Sequence, residues 1–336
     1  MSSEKWSPDY ENYDDGPSLI RTSIAMTILA TLFVGLRLWA RRIRKLKLAL
    51  DDFLILISLP FLYALLAFDI IAAVHGGVGR HLDVNMSIDD GRLGRSMMYL
   101  FIVEFIYGTM ITLIKVSILS LYFRTFATAF VKRACYVLGA MALAWWLAVV
   151  LIAFFQCRPM AKIWSPLMVD GACIDVNQYF LGNSISNIII DVLILTLPII
   201  TVSKLQMKPL LKISIISIFL LGSFVIITSG IRLQMVVSLS KGGPEADYTF
   251  LIAGCWIWTH VEVSTAMICA CLPTMRPLAV LIFGNLVTTK TEEKSELVTI
   301  RTFGGGSARG VYSKQPNRVN GGAFKRLDGT ELGETT

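Results

Sequence analysis

Apolar runs close to twenty residues recur seven times along this chain: Thr22–Ala40, Phe53–Val74, Met97–Tyr122, Ala134–Phe155, Tyr179–Val202, Ile213–Val237 and Phe250–Leu272. A helix rises about 1.5 Å per residue, so each run can cross a hydrocarbon layer of about 30 Å. The implied fold class is an all-α membrane protein, a seven-transmembrane helix bundle. Buried helices of a soluble protein could mimic one or two such runs, but not seven separated by short charged loops. Only 16% of the residues are charged and 54% are hydrophobic, whereas about a quarter are charged in ordinary soluble domains.

Basic residues set the expected orientation, because short cytoplasmic loops are rich in Lys and Arg. The loops after spans one, three and five hold Arg41, Arg42, Arg44, Lys45, Lys47, Arg124, Lys132, Arg133, Lys204, Lys208 and Lys212. The longer loops after spans two, four and six hold only Arg80, Arg92, Arg95, Arg158, Lys162 and Lys241. The N-terminus is therefore expected outside and the C-terminus in the cytoplasm. The acidic start of the chain lacks the basic and apolar regions of a signal peptide, so the first span is expected to direct insertion. The expected domains are an extracellular tail over 1–21, the membrane domain over 22–284, and a disordered basic cytoplasmic tail over 285–336, rich in Gly, Ser and Asn. The net charge of +7 follows from the loop bias and this tail, and does not indicate nucleic-acid binding. The expected location is a multi-pass position in the lipid bilayer, in the plasma membrane rather than internal membranes.

Cys157 and Cys173 fall in the predicted outer loop between spans four and five, with a separation that suits a disulfide folding the loop on itself. Cys135, Cys255, Cys269 and Cys271 lie in spans and are read as small apolar packers. Asn85-Met86-Ser87 is an N-glycosylation sequon in the loop between spans two and three. His75 and His81 lack Cys or acidic partners at metal-ligand spacing, so no metal site is expected.

Ionisable residues within the spans are the most informative, because a charge at membrane depth usually meets a partner or lines a cavity. They are Asp69 in span two, Glu104 and Lys115 in span three, Asp191 in span five, Arg232 in span six and Glu262 in span seven. Glu104 and Lys115 stand about 16 Å apart along their helix and cannot pair with each other. Depth matching pairs Arg232 with Glu104 or Asp69, and Lys115 with Asp191 or Asp52. Such residues either clamp helices together or line a polar cavity that binds a ligand or moves a proton. Trp256, Trp258 and Tyr107 are candidate cavity aromatics. Asp51 and Asp52 are read as local balance to the basic run Arg41–Lys47.

Several stretches, in order over about residues 20–285, resemble the fungal seven-transmembrane "rhodopsin domain" family of integral membrane proteins. They are LALDDFLILISLP (48–60), HGGVGRH (75–81), KVSILSLYFRTF (115–126), FQCRPMAKIW (155–164) with Cys173, DVLILTLPI (191–199), GIRL (230–233) and VEVSTAMICACLPTMRP (261–277). That family includes Pth-type receptor-like proteins of filamentous ascomycetes and membrane proteins encoded within toxin gene clusters. The family name suggests retinal, but a retinal protein needs a lysine in its seventh helix, and no lysine lies between Lys241 and Lys290. No cofactor is expected. The usual receptor signatures are also missing: span three ends LYFRTF and span seven ends CLPTM. Coupling to a G-protein-like partner is thus an analogy of fold, and fold alone does not fix function.

Three functional readings follow. The leading one is a receptor-like protein that takes a small molecule into an outward cavity near Glu104, Arg232 and Glu262, beneath the Cys157–Cys173 loop. The second is a membrane enzyme or accessory protein of secondary metabolism, such as an acid-initiated cyclase using Asp191 or Glu262. DDFLI and DDGRL stop short of the later carboxylate that closes the Asp-rich magnesium motif of a prenyltransferase. The third is a metabolite transporter, which the absence of an evident internal repeat disfavours.

Overall fold

Helix α1 shows how these runs meet a bilayer. Ser23, Thr27, Ala30, Val34, Arg37 and Arg41 recur at steps of three and four residues, and all are buried. Ile28, Leu32 and Trp39 lie on the opposite face and are exposed. Residues three and four apart share a helix face, so the polar stripe turns inward and the apolar one outward, as lipid requires. The computed structural model describes residues 14–89, 91–126, 128–164, 169–203, 209–241 and 248–292.

The helices are α1 (Gly16–Ile43), α2 (Leu50–His75), the short α3 (Leu82–Ile88), α4 (Arg92–Thr125), α5 (Ala129–Phe155), α6 (Val176–Ser203), α7 (Pro209–Lys241) and α8 (Tyr248–Glu292). All but α3 contain a stretch long and apolar enough to cross a membrane, which makes seven. The fold is an all-α seven-helix bundle. Its helices overrun the apolar runs at both ends, because the helix continues past the hydrocarbon layer until a turn signal stops it. The chain divides into two units, 1–287 and 288–336, and the bundle belongs to the first. The tails expected at 1–21 and 285–336 fall largely outside the described residues.

Helix α4 packs against both α2 and α5, α1 packs on α2, and α6 packs on α7. Burial differs sharply among the spans. Half of the apolar window of α4 and two thirds of that of α8 lie inside the bundle, against 28% for α1, α2, α5 and α7. The functional search therefore narrows to α4 and α8. Pro60 and Pro198 lie inside α2 and α6, where each removes a backbone donor.

Two loops organise one end of the bundle. In HGGVGRH, Gly77 and Gly79 adopt φ of +67° and +105°, conformations that favour glycine. This turn accepts the Asp15 N–H on the Gly79 carbonyl at 3.0 Å and donates the Gly79 N–H to the Thr249 carbonyl at 3.0 Å. It thereby ties the start of α1 to the start of α8. The second loop is a two-stranded hairpin, β1 (Cys157–Arg158) against β2 (Ala172–Cys173). A disulfide joins Cys157 and Cys173, with Cα atoms 4.1 Å apart. This is called the disulfide end below, and the end carrying Arg41 and Arg124 the basic end.

Candidate functional site

Buried polar groups collect at three levels. Nearest the disulfide end, Asp69 Oδ2 accepts from Ser23 Oγ at 2.7 Å and lies 2.6 Å from His260 Nδ1. The other ring nitrogen of His260 meets Thr27 Oγ1 at 2.9 Å. This chain joins α1, α2 and α8.

The central level is built on Glu262. Arg232 Nε stands 2.8 Å from Glu262 Oε2, and Arg232 Nη2 donates to the Tyr107 hydroxyl at 2.8 Å. Glu262 also accepts from Tyr107 at 3.2 Å, Asn187 Nδ2 at 2.9 Å and Ser229 Oγ at 2.5 Å. The amide oxygen of Asn187 accepts from Lys115 Nζ at 2.6 Å, and Lys115 forms an ion pair with Asp191 at 3.1 Å. One continuous network thus links α4, α6, α7 and α8. A buried charge without partners is costly; here each one has several.

At the basic end, Arg37 Nη2 and Arg41 Nη2 both contact Asp51 Oδ2, at 2.5 and 2.7 Å. Arg37 Nε contacts Asp52 Oδ1 at 2.8 Å, and Arg37 Nη1 donates to the Ala270 carbonyl at 2.6 Å. Asp52 also accepts the Ala49 N–H at 3.0 Å, holding the first turn of α2. Arg124 reaches only to 3.9 Å from Asp51 and is half exposed.

Two cavities descend from the disulfide end. The vestibule, about 200 Å³, is lined by Leu100, Glu104, Lys162, Phe180 and both disulfide cysteines, among others. The inner chamber, about 70 Å³, is lined by Asp69, Glu104, Tyr107, Asn183, Arg232 and Trp256 with apolar neighbours. Leu100, Glu104 and Phe180 belong to both. Glu104 stands beside Tyr179, yet neither its Oε1 nor the Tyr179 hydroxyl closes a well-formed hydrogen bond. Asn183 Oδ1 and Trp256 Nε1 are likewise buried without hydrogen-bond partners among the described residues.

These placements revise several sequence expectations. Arg232 pairs with Glu262 and with neither Glu104 nor Asp69. Depth along a helix says nothing about which face a side chain takes, and Arg232 and Glu262 share the interior face of α7 and α8. Lys115 meets Asp191, not Asp52, which Arg37 and Arg41 occupy. Asp51 and Asp52 do balance Arg41 of the basic run, but they are buried and Arg37 joins the pairing. Asn85 of the expected sequon is 1% exposed, and its Nδ2 donates to the Gly77 carbonyl at 2.8 Å and faces Thr249 Oγ1 at 3.3 Å. Of the candidate cyclase acids, Glu262 lines neither cavity and Asp191 only a small pocket toward the basic end, beside Lys115 and Tyr122. His81 stacks on Phe250 at 4.9 Å. Arg37, Asn187, Ser229 and the partnership of His260 were not anticipated. The signal was present for two of them: Arg37 interrupts an apolar run, and Asn187 precedes Asp191 by one helical turn.

Retinal does not fit this donor set. No lysine is among the described residues lining the inner chamber, the vestibule's Lys162 lies in the loop after α5 and donates to the Gly171 carbonyl, and the Lys115 amine is fixed by the Asn187 carbonyl, the Asn187 amide oxygen and Asp191.

Fold and site together define a polytopic membrane protein whose charges are buried in pairs around a cleft open toward one end. The chain belongs to the fungal rhodopsin domain family, whose family model matches residues 36–281. It is 31% identical to "Satratoxin biosynthesis SC1 cluster protein 4" of Stachybotrys chartarum, over 52% of this chain and 62% of that protein. It is 30% identical to a "SAT4 family membrane protein" of Emericella nidulans, over 57% of this chain and 48% of that one. A match of 23% identity to "Receptor GIN3" of Arthrobotrys oligospora covers 81% of this chain and 65% of the receptor. The chain thus spans about half to three fifths of the length of the first two relatives. No solved structure matches.

Proposed function

We propose that the protein is a receptor-like sensor of a small molecule that enters from the disulfide end. The observation that carries this reading is the pair of cavities meeting at Leu100, Glu104 and Phe180 and ending against Arg232 and Trp256. A disulfide forms in an oxidising compartment, and the basic loops favour the cytoplasm. Both support an outward vestibule and an inward basic end. Ligand in the chamber would contact Tyr107 and Arg232, which hold Glu262. Helix α8 carries Glu262 to the Ala270 carbonyl, where Arg37 is bound. That path connects the chamber to the basic end through one helix; a conformational response further requires that ligand bind one arrangement of that helix more tightly than another. A cytoplasmic protein partner at the basic end completes the reading, and a relative named as a receptor supports it.

The test uses cells expressing the protein with fluorophores on the loops after α1 and α4. Small molecules added outside should change energy transfer in the wild type and not in Phe180→Trp, which fills the junction between the cavities. A compound that binds the purified protein without changing transfer would overturn the receptor reading.

The names of relatives favour a second reading, an enzyme or accessory protein of a biosynthetic cluster. Membranes containing only this protein, incubated with pathway intermediates, would form product under that reading and none under the first.

A further inference from the structure

We infer that the inner chamber takes a protonated amine carried on a short apolar body, with Glu104 as its counter-ion. The inference rests on the chamber being a ligand site, as proposed above, and adds the chemistry of the ligand.

Three observations support it. First, Glu104 is 6% exposed, lines both cavities and has an Oε1 that closes no well-formed hydrogen bond among the described residues, with the Tyr179 hydroxyl rather than a basic group beside it. The other buried carboxylates of the bundle that reach basic groups are already matched: Glu262 by Arg232, Asp191 by Lys115, Asp51 and Asp52 by Arg37 and Arg41, and Asp69 by His260. No basic side chain is recorded on Glu104 among the described residues. Second, Asn183 Oδ1 offers another unpartnered acceptor in the same chamber. An ammonium carries three N–H donors and no acceptor, so its chemistry suits a chamber that offers two open acceptors. A carboxylate ligand would leave both oxygens facing a like charge or an acceptor. Third, apart from Asp69, Arg232 and Thr259 the remaining walls are apolar or aromatic. Tyr107 and Trp256 face the chamber and Phe180 stands at its mouth. Aromatic faces attract cations, and Leu65, Leu100, Val103, Val236 and Ile252 accommodate the apolar body.

The nearby cations do not oppose this. Arg232 is neutralised by Glu262 at 2.8 Å. Lys162 belongs to the vestibule and donates to the Gly171 carbonyl at 2.6 Å. Size limits the ligand. The vestibule, at about 200 Å³, exceeds the ~150 Å³ of a cavity that accepts benzene. The inner chamber is smaller and admits the amine end, so the chain of the ligand lies across the junction at Leu100 and Phe180.

The experiment compares n-hexylamine, n-hexanol and hexanoate at neutral pH, titrated into full-length protein in nanodiscs. Tryptophan fluorescence and the melting temperature are the readouts. The amine is expected to bind at least tenfold more tightly than the alcohol or the acid. Glu104→Gln should abolish that preference while retaining a monodisperse, folded protein, and Glu104→Asp should retain part of it. Asn183→Leu should weaken the amine several-fold without affecting hexanol. Equal binding of amine and alcohol, or an unchanged amine preference in Glu104→Gln, would overturn the assignment of ligand class while leaving the chamber a ligand site. Binding of none of the three would overturn both.

Discussion

Arg232 on α7 and Glu262 on α8 approach to 2.8 Å with side chains 7% and 0% exposed. The contact is a charge pairing rather than a well-directed hydrogen bond, since Arg232 Nε itself lacks good donor geometry. The two partners are not equally dependent on it. Glu262 keeps Tyr107, Asn187 and Ser229 if Arg232 is lost, whereas among the described residues Arg232 keeps only Tyr107 if Glu262 is lost.

That asymmetry orders a set of variants. Glu262→Leu should destabilise the protein by about 3–5 kcal/mol, the cost of stranding a buried charge. Arg232→Met should cost less, and the double variant should recover much of the loss. Thermal unfolding in detergent, followed by size-exclusion fluorescence, measures all three. Equal losses for the two single variants would show that the three donors on Glu262 do not compensate.

Asn187 is the bridge between the Glu262 centre and the Lys115–Asp191 pair, with its amide oxygen on Lys115 and its amide nitrogen on Glu262. Polar contacts between membrane helices average about 0.6 kcal/mol and reach about 1.7 kcal/mol. Asn187→Leu should lose about that range, well under Glu262→Leu, because both ion pairs survive it. The same melting assay reads the result.

At the basic end, Arg37 contacts Asp51, Asp52 and Ala270 together. A lysine supplies a single ammonium and cannot reproduce this planar fork. Arg37→Lys should therefore lower stability by about 2–3 kcal/mol, the cost of leaving buried acceptors unsatisfied. Arg124→Ala should change it by under about 0.5 kcal/mol, as exposed ion pairs contribute little. Comparable losses would mean that Arg124 is held more tightly than its 3.9 Å contact indicates.

The spans were legible in the sequence because lipid forces backbone hydrogen bonds inside each segment, and only long apolar helices satisfy that. The chemistry was legible as a set of residues but only partly as pairs. Depth narrowed the partner of Lys115 to Asp191 or Asp52, and the structure gives Asp191 because Arg37 and Arg41 occupy Asp52. Arg232 could not be matched by depth, because Asp69, Glu104 and Glu262 lie close to its depth and helix rotation chose among them. Glu104 emerged at the junction of two cavities only in three dimensions, since the wall opposite it comes from Phe180 on α6. The role of HGGVGRH was equally hidden. Its glycines serve a turn whose partners, Asp15 and Thr249, lie far away in sequence.

Asn85 carries a local pattern whose side chain is already committed. The sequon is intact, but its amide spans the Gly77 carbonyl and Thr249 Oγ1 beneath the glycine turn. Two substitutions separate the motif from the contact. Ser87→Ala destroys the sequon while removing only an exposed hydroxyl that bonds the Val84 carbonyl at 2.7 Å. Asn85→Ala removes the bridge itself and strands the groups it holds. Protein expressed in a fungal host should migrate identically before and after endoglycosidase treatment, and Ser87→Ala should match the wild type in both mobility and melting temperature. Asn85→Ala should lose about 1–3 kcal/mol, as expected for unsatisfied buried partners. A mobility shift on deglycosylation that disappears in Ser87→Ala would mean that this turn opens to admit a glycan, and the packing of HGGVGRH against α8 would have to be redrawn.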